Sequence, residues 1–159
     1  MSERKVEHGS FTIERKFEAS PALVYSAFAT EKGKQAWFSG PSDTWSLENR
    51  AFDFRVGGSE TLTGKWKSGM VSRFDAHYHY HDIVPDERII YSYTMHVDGK
   101  KISVSLATIE FKKAGAGTLL VLNEQGAFLD GYDDSGSRER GTIGLIDKLE
   151  AAIRDGRVQ

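Results

Sequence analysis

Hydrophobic and polar residues alternate along much of this chain, and helical spacing is confined to two regions near its ends. Residues Phe11–Glu18 alternate with the single exception of Arg15, which predicts a strand with one buried face. Helical spacing follows over Ser20–Thr30, where Ser20-Pro21 supplies an N-cap and a first helical residue. A second short helix is expected over Glu31–Ala36, before the apolar pair Trp37-Phe38.

The middle of the chain predicts an antiparallel sheet, because short apolar runs alternate there with turn residues. Asp98-Gly99 is the strongest hairpin signal in the chain. A loop rich in Asp and Gly is expected over Gly126–Gly136. The strands are predicted over Thr44–Glu48, Phe52–Val56, Thr61–Trp66, Met70–Val84, Ile89–Val97, Ile102–Phe111 and Thr118–Glu124.

A long amphipathic helix is predicted near the end of the chain, from Ser137 as N-cap to about Arg154. Gly141 and Gly144 are unusual residues inside a helix, where each costs about 1 kcal/mol relative to alanine. Their small size permits either close packing on the sheet or extra volume beside it. The apolar stripe of this helix consists of Thr142, Leu145, Ile146, Leu149, Ala152 and Ile153.

Together these elements predict an α+β fold, with two short helices after the first strand. The terminal helix is expected on the concave face of a curved antiparallel sheet of about six to seven strands, because only that face can bury its apolar stripe. This arrangement leaves room for a cavity between helix and sheet. The chain length favours one domain over residues 1–159, with an ordered core from about residue 8 to residue 155.

The composition of the chain argues against several classes of function and location. Lys and Arg total 21 against 23 Asp and Glu, so the net charge of -2 gives no reason to expect binding to nucleic acid or to an anionic membrane. The absence of cysteine excludes disulfides and thiolate metal sites. The polar N-terminus lacks the apolar segment of a secretory signal, and no apolar run is long enough to span a bilayer. A cytoplasmic protein without a cofactor is expected.

Four segments carry a resemblance to a known family. Residues 11–38, FTIERKFEASPALVYSAFATEKGKQAWF, are similar to the opening of the family named for the activator of the heat-shock protein ninety ATPase. Residues 82–95, DIVPDERIIYSYTM, and residues 115–126, GAGTLLVLNEQG, resemble its central and last strands. The segment around Gly141–Ile153 resembles its gripping helix. The resemblance covers nearly the whole chain and implies the helix-grip fold of the START-like superfamily.

That superfamily includes lipid carriers, cyclases and cochaperone domains, so the resemblance specifies a fold more narrowly than a function. The cochaperone that names the family has an additional N-terminal chaperone-binding domain. Because Phe11 already begins the first strand of the grip domain, that extra domain is expected to be absent here, and a chaperone partner remains an alternative.

Two charged residues fall on apolar faces of predicted strands. Arg15 shares its face with Ile13 and Phe17, and Glu124 shares its face with Leu120 and Leu122. The first and last strands of a helix-grip sheet are neighbours, so Arg15 and Glu124 could meet inside the cavity and, as a pair, anchor a ligand's carbonyl or carboxylate. The favoured interpretation is a structural ion pair at the sheet's end, or an Arg whose stem is buried while its head reaches water.

Tyr91, Tyr93 and Met95 line one face of a central strand and suit the wall of a mostly apolar pocket. Trp37, Phe38, Trp45 and Trp66 are candidates for its mouth. Core packing is the alternative for both groups. The predicted ligand-binding residues are Arg15, Trp37, Tyr91, Tyr93, Met95, Glu124, Leu145 and Leu149.

The alternating histidines His77, His79 and His81 would share one face of a strand. One His-x-His pair can chelate a metal ion, but the outer two lie about 13 Å apart on a regular strand, which is too far for one metal. A solvated strand face with Tyr78 and Tyr80 turned inward is the favoured interpretation, and no metal site is predicted. Asp130, Asp133 and Asp134 are assigned to the loop and to capping of the last helix.

Three functions remain open. The first is binding of a small hydrophobic or amphipathic molecule in the cavity. The second is an enzyme of the cyclase or dehydratase type, which requires an inward acid or base, with Arg15, Glu124, Tyr91 and Tyr93 as the candidates. The third is a protein-interaction role in the stress response, by analogy with the chaperone activator.

Overall fold

The computed structural model describes residues 4–38, 45–66 and 73–158. The strands form a single curved sheet in the order β1-β7-β6-β5-β4-β3-β2, and every neighbouring pair is antiparallel. The elements are β1 (Val6–Phe17), α1 (Pro21–Ala29), α2 (Glu31–Phe38), β2 (Trp45–Phe52), β3 (Ser59–Trp66), β4 (Arg73–Val84), β5 (Arg88–Val97), β6 (Lys100–Ala114), β7 (Gly117–Leu129) and α3 (Ser135–Arg154).

The architecture confirms the predicted helix-grip fold. β1 and β7, the first and last strands, pair along their whole length, from Val6 opposite Leu129 to Phe17 opposite Thr118. The long helix α3 buries Ile146, Leu149 and Ala152 in the same hydrophobic core as the strands. None of the helices in the described part of the chain is long and apolar enough to cross a membrane.

Local signals in the sequence explain most element boundaries. Ser20 caps α1 by accepting a hydrogen bond of 3.3 Å from the Leu23 amide, as Ser20-Pro21 predicted. Asp98 and Gly99 connect β5 to β6 with φ angles of 49° and 81°. Both values lie in the left-handed region that a two-residue hairpin turn requires, so the predicted hairpin is confirmed.

The prediction of two strands over Thr44–Glu48 and Phe52–Val56 is wrong. A single strand, β2, continues to Phe52 through a register shift between Leu47 and Asn49. A turn follows, in which the Gly58 amide donates to the carbonyl of Arg55 over 2.8 Å. The bulge breaks the regular alternation, which is why the pattern suggested an interruption. Thr44 and residues 70–72, also assigned to strands, lie outside the described residues.

The last helix begins earlier than the sequence predicted, and its N-cap is Asp134. The Asp134 carboxylate accepts hydrogen bonds from both the amide and the hydroxyl of Ser137, over 2.8 Å and 3.1 Å. Ser137 is therefore not the N-cap; its amide is the donor that the Asp134 cap satisfies. Strand β7 also runs five residues beyond Glu124, so only residues 130–134 of the predicted Gly126–Gly136 loop lie outside a strand or helix.

Candidate functional site

A cavity of about 480 Å³ lies between α3 and the central strands of the sheet. Its sheet wall is mostly apolar and aromatic. The residues of that wall include Leu62, Phe74, Ala76, Tyr78, Tyr93 and Met95. Its helical wall consists of Ser137, Arg138, Gly141, Thr142, Gly144, Leu145 and Lys148. A largely apolar pocket of this size with a few convergent polar groups has the character of a small-molecule site.

The two glycines of α3 both line this cavity. A Cβ atom at Gly141 or at Gly144 would meet no atom within 4 Å outside the local helix. Close packing on the sheet is therefore not the reason for either residue. Of the two interpretations that the sequence left open, the structure favours the one in which glycine leaves volume beside the helix.

A larger groove of about 1060 Å³ lies near the C-terminal end of α3. Several of its lining residues are exposed and charged, among them Lys16, Glu18 and Arg154. The lining of this groove is more polar than that of the aromatic cavity, so it offers less apolar surface to a ligand. The smaller, aromatic cavity is the better candidate site despite its lower volume.

Arg138 forms the polar end of the cavity. Its Nη1 donates to the Tyr93 hydroxyl over 3.0 Å, and its Nη2 donates to the Ser103 hydroxyl over 2.8 Å and to Asp133 over 2.9 Å. The Met95 sulfur lies 3.5 Å from the same Nη2. These contacts hold a buried guanidinium in one orientation at the cavity wall.

Glu124 supports this end of the cavity from behind Tyr93. The Tyr93 hydroxyl donates to Glu124 Oε2 over 2.8 Å, and both side chains are buried. Burial raises the pKa of Glu124, and the Tyr93 hydrogen bond and the Arg138 charge oppose that shift. Burial and the nearby Glu124 raise the pKa of Tyr93, so its hydroxyl stays protonated at neutral pH. Arg138, Tyr93 and Glu124 thus form one continuous buried chain.

The predicted meeting of Arg15 and Glu124 is wrong. In the β1–β7 register Arg15 lies opposite Leu120, and Glu124 lies opposite Phe11. Four residues of strand separate the two positions, about 13 Å. Arg15 instead donates to Asp147 over 2.9 Å and to Glu150 over 3.0 Å, both on α3. It acts as a tether between β1 and α3 and is not part of the described cavity lining.

The other predicted site residues divide between the cavity and the core. Tyr93, Met95 and Leu145 line the cavity. Trp37 and Leu149 are buried in the core away from it, and the Trp37 indole donates to the Ala27 carbonyl over 2.9 Å. Of the candidates for the mouth, Phe38 and Trp66 line the cavity, and the side chain of Trp45 lies outside the described residues.

Tyr91 also lies behind the cavity wall and does not line it. Its ring makes edge contacts with Tyr78 and Tyr80, with centroids 5.5 Å and 6.1 Å away. Tyr78 in turn stacks on Tyr93 with a centroid separation of 4.9 Å. Tyr91 therefore positions the cavity wall through its tyrosine neighbours.

Sequence reasoning missed Arg138 and Ser103. Arg138 lies four residues before Thr142, at the start of the apolar stripe of α3, so a cation on that stripe was the available signal. Ser103 is fully buried on the inward face of β6, whereas Val104 and Leu106 are exposed on the outer face. On this part of β6 a small polar residue faces inward and apolar residues face outward. The small Ser103 side chain leaves room for the guanidinium of Arg138 and accepts a hydrogen bond from it.

A second buried polar cluster lies beside α2 and was also missed. Glu60 of β3 is fully buried; its Oε1 accepts from Lys34 over 3.1 Å and from the Tyr80 hydroxyl over 2.9 Å, and Arg50 Nε lies 3.4 Å from its Oε2. Burial lowers the pKa of Lys34, and Glu60 opposes that shift. The signal in the sequence is that Glu60 shares the inward face of β3 with Leu62.

The histidines of β4 behave as a solvated face. His77, His79 and His81 are exposed, whereas Tyr78 and Tyr80 are buried on the opposite face. The His81 ring lies 2.7 Å from the Ser92 hydroxyl. Within residues 4–38, 45–66 and 73–158, no three His, Cys, Asp or Glu side chains are grouped so that they could hold a metal ion.

The three aspartates before α3 have separate structural duties. Asp130 accepts from the Lys5 amide over 3.0 Å and from Arg4 over 2.9 Å, which attaches the start of β1 to the loop after β7. These bonds lower the pKa of Asp130, and the Ser137 amide lowers that of Asp134. Asp133 forms an ion pair with Arg138 at the cavity, a contact that its predicted assignment to the loop and to helix capping did not include.

Comparison with known proteins agrees with this geometry. The profile of the family described as Activator of Hsp90 ATPase homolog 1-like protein matches residues 18–154. No curated protein matches the chain. The chain is similar to an uncharacterized protein from Rhizobium leguminosarum, with 37% identity and a TM-score of 0.90 over 97% of this chain and 99% of that one.

Two further solved structures extend the comparison. The Mll3558 protein from Rhizobium loti is 39% identical, with a TM-score of 0.83 over 92% of this chain and 98% of that one. An AHSA1-like protein from Aeromonas hydrophila is 17% identical with a TM-score of 0.66, over 94% of this chain and 95% of that one, and shares the fold. By its matching family profile, its fold and these relatives, the chain belongs to the family of Activator of Hsp90 ATPase homolog 1-like proteins.

Proposed function

We propose that this protein binds a small, mostly apolar or amphipathic molecule in the cavity between α3 and the sheet. The observation that carries the proposal is the cavity itself, about 480 Å³ in volume, walled by aromatic and aliphatic side chains and polar at one end. Burial of apolar ligand surface against such a wall stabilises a complex by roughly 25 cal/mol per Å² before the costs of association.

The polar chain behind the cavity favours binding over acid–base catalysis. The Tyr93 hydroxyl already donates to Glu124 and accepts from Arg138. A hydroxyl so engaged, with a raised pKa, holds its neighbours in position. It stays protonated at neutral pH, so it gives up its proton less readily than an ordinary tyrosine and supplies no phenolate base. Chaperone activation, to which the family's name refers, gains no support from the described residues beyond the shared fold.

Native mass spectrometry of protein purified from its own host tests the proposal directly, since a co-purified small molecule appears as a mass above that of the chain. Titration with the neutral apolar dye Nile red then tests the location. Ala76→Phe places a ring on the cavity wall, where Ala76 is buried on β4. We expect this variant to lose most dye binding because the ring occupies the volume that the ligand needs.

His79→Phe is the matched control, because His79 lies on the same strand and is exposed on the opposite face. It should bind Nile red as the unmodified protein does. Met95→Trp repeats the filling experiment from β5, where Met95 lies opposite Ala76. Unchanged dye binding in folded Ala76→Phe and Met95→Trp, or no dye binding by the unmodified protein, would contradict the proposal.

A further inference from the structure

Arg138 is a fixed cation whose head lies at the cavity wall. Its side chain is only 9% exposed. The guanidinium carbon lies 5.6 Å from the centroid of the Tyr93 ring and 5.4 Å from that of Phe128. These rings and the hydrogen bonds to Tyr93 and Ser103 hold the head in place, so it is preorganised for a partner inside the cavity.

The guanidinium retains donor capacity. It has five N–H groups, and the bonds to Tyr93, Ser103 and Asp133 use three of them. Among the described residues, no oxygen accepts from Nε or from the second Nη1 proton. A ligand oxygen reaching this end of the cavity can therefore be bound without breaking the existing network.

The charge of Arg138 is balanced directly by one carboxylate at the edge of the cavity. Asp133 contacts it, and the Asp133 side chain is 19% exposed on the loop before α3. Glu124 reaches Arg138 only through the Tyr93 hydroxyl. The direct compensation of the Arg138 charge therefore comes from one carboxylate on a surface loop.

Arg138 and Lys148, both on α3, are the cationic residues of the described lining, and Asp133 is its carboxylate. In a cavity with low-dielectric walls, a fixed guanidinium such as that of Arg138 attracts an anionic group and repels a cationic one.

We infer that the ligand is an amphiphile with a carboxylate-type anionic head that binds Arg138 and an apolar body that lies against Tyr78, Met95 and Leu145. This inference rests on the proposed function and specifies the chemistry of its ligand. Charge-assisted hydrogen bonds to a guanidinium are about twice as strong as neutral ones, so the head supplies both orientation and selectivity.

Displacement of Nile red by decanoate, decanol and decylamine at neutral pH tests the head group, because the three probes share one alkyl chain. We expect decanoate to bind about tenfold more tightly than decanol, and decylamine to bind most weakly. Arg138→Met should abolish the preference for decanoate, so that the ratio of the decanol to the decanoate dissociation constant falls from about ten to about one. Arg88→Met is its control, since Arg88 forms an exposed ion pair with Asp82.

Asp133→Asn provides a second variant that keeps Arg138 in place. Removing the competing carboxylate should strengthen decanoate binding several-fold relative to decanol binding, whereas Asp82→Asn should not alter this ratio. Equal affinity for decanoate and decanol, or a preference for decylamine, overturns the anionic head while cavity binding stands. Failure of all three probes and of Nile red to bind overturns the proposed function and the head group together.

Discussion

The Tyr93 hydroxyl donates a hydrogen bond of 2.8 Å to Glu124 across the β5, β6 and β7 strands of the sheet. Both side chains are buried, and the same hydroxyl accepts from Arg138 on α3. One tyrosine oxygen therefore joins the carboxylate of the last strand to the cation of the last helix. This junction lies directly behind the polar end of the cavity.

Tyr93→Phe should destabilise the protein by about 1 to 3 kcal/mol, because it leaves a buried Glu124 oxygen and an Arg138 donor without their partner. The free energy of unfolding in urea measures the effect. Tyr132→Phe is the matched control, since Tyr132 is 48% exposed and should change stability little. Equal stability of the two variants would show that the hydrogen bonds of the Tyr93 hydroxyl do not stabilise the folded protein.

Glu124→Gln should change how stability depends on pH. Burial raises the pKa of Glu124 in the folded state above its ordinary value of 4.5, so the folded state binds this proton more tightly than the unfolded state does. Glu124 therefore makes stability fall as the pH rises from 4.5 through the folded-state pKa. Between pH 4.5 and neutral pH, the free energy of unfolding should fall less steeply, or rise more, in Glu124→Gln than in the unmodified protein.

The comparison for that experiment is Glu87→Gln, because Glu87 is exposed in the turn between β4 and β5. Its pH profile should follow that of the unmodified protein. A Glu124→Gln profile parallel to the unmodified one over this range would mean that Glu124 does not titrate differently on folding.

In the cluster around Glu60, substitution of the carboxylate should destabilise the protein more than substitution of one of its cationic partners. Glu60→Gln should cost about 3 to 5 kcal/mol, because it leaves Lys34 and Arg50 as uncompensated buried cations. Lys34→Met should cost much less, since one cation and one carboxylate then remain. Urea unfolding of both variants measures the difference, with Lys32→Met as the exposed control on the same helix. A larger loss from Lys34→Met than from Glu60→Gln would contradict this order.

Arg15→Gln should weaken the attachment of α3 to β1 by less than about 1 kcal/mol, because its partners Asp147 and Glu150 are substantially exposed. The loss should shrink in about 1 M salt, where exposed charges are screened. Stability measured at low and high salt tests this, with Arg55→Gln as the exposed control pair. A loss that is independent of salt would indicate packing of the Arg15 stem as the main contribution.

Gly144→Ala should stabilise the protein by about 1 kcal/mol, since alanine is the better helix former and the added Cβ meets no atom within 4 Å. Thermal unfolding measures the gain. Gly64→Ala provides the contrast, because its Cβ would clash with the Phe74 ring and should destabilise β3. Destabilisation by Gly144→Ala would indicate that the space beside α3 is smaller than the structure shows.

The sequence by itself determined the order of the elements and the fold they form. Local signals specified these elements: the alternation in Phe11–Glu18, the Ser20-Pro21 cap, the Asp98-Gly99 turn and the apolar stripe of α3. Such signals can be read from short segments because the backbone geometry of a strand, helix or turn fixes the spacing and type of its side chains. The same alternation separated the exposed histidines of β4 from its buried tyrosines. Alternation along β5 and helical spacing along α3 likewise identified Tyr93, Met95 and Leu145 as candidates for the cavity that they line.

Only the tertiary structure decided which charged groups meet. Arg15 and Glu124 were each identified as inward charges, but the β1–β7 register separates them and gives each a different partner. The pairing of Arg138 with Tyr93 joins residues 45 positions apart, and that of Lys34 with Glu60 joins α2 to β3. Register and the placement of a helix over a sheet depend on the packing of the whole core, so no short segment of sequence encodes these contacts.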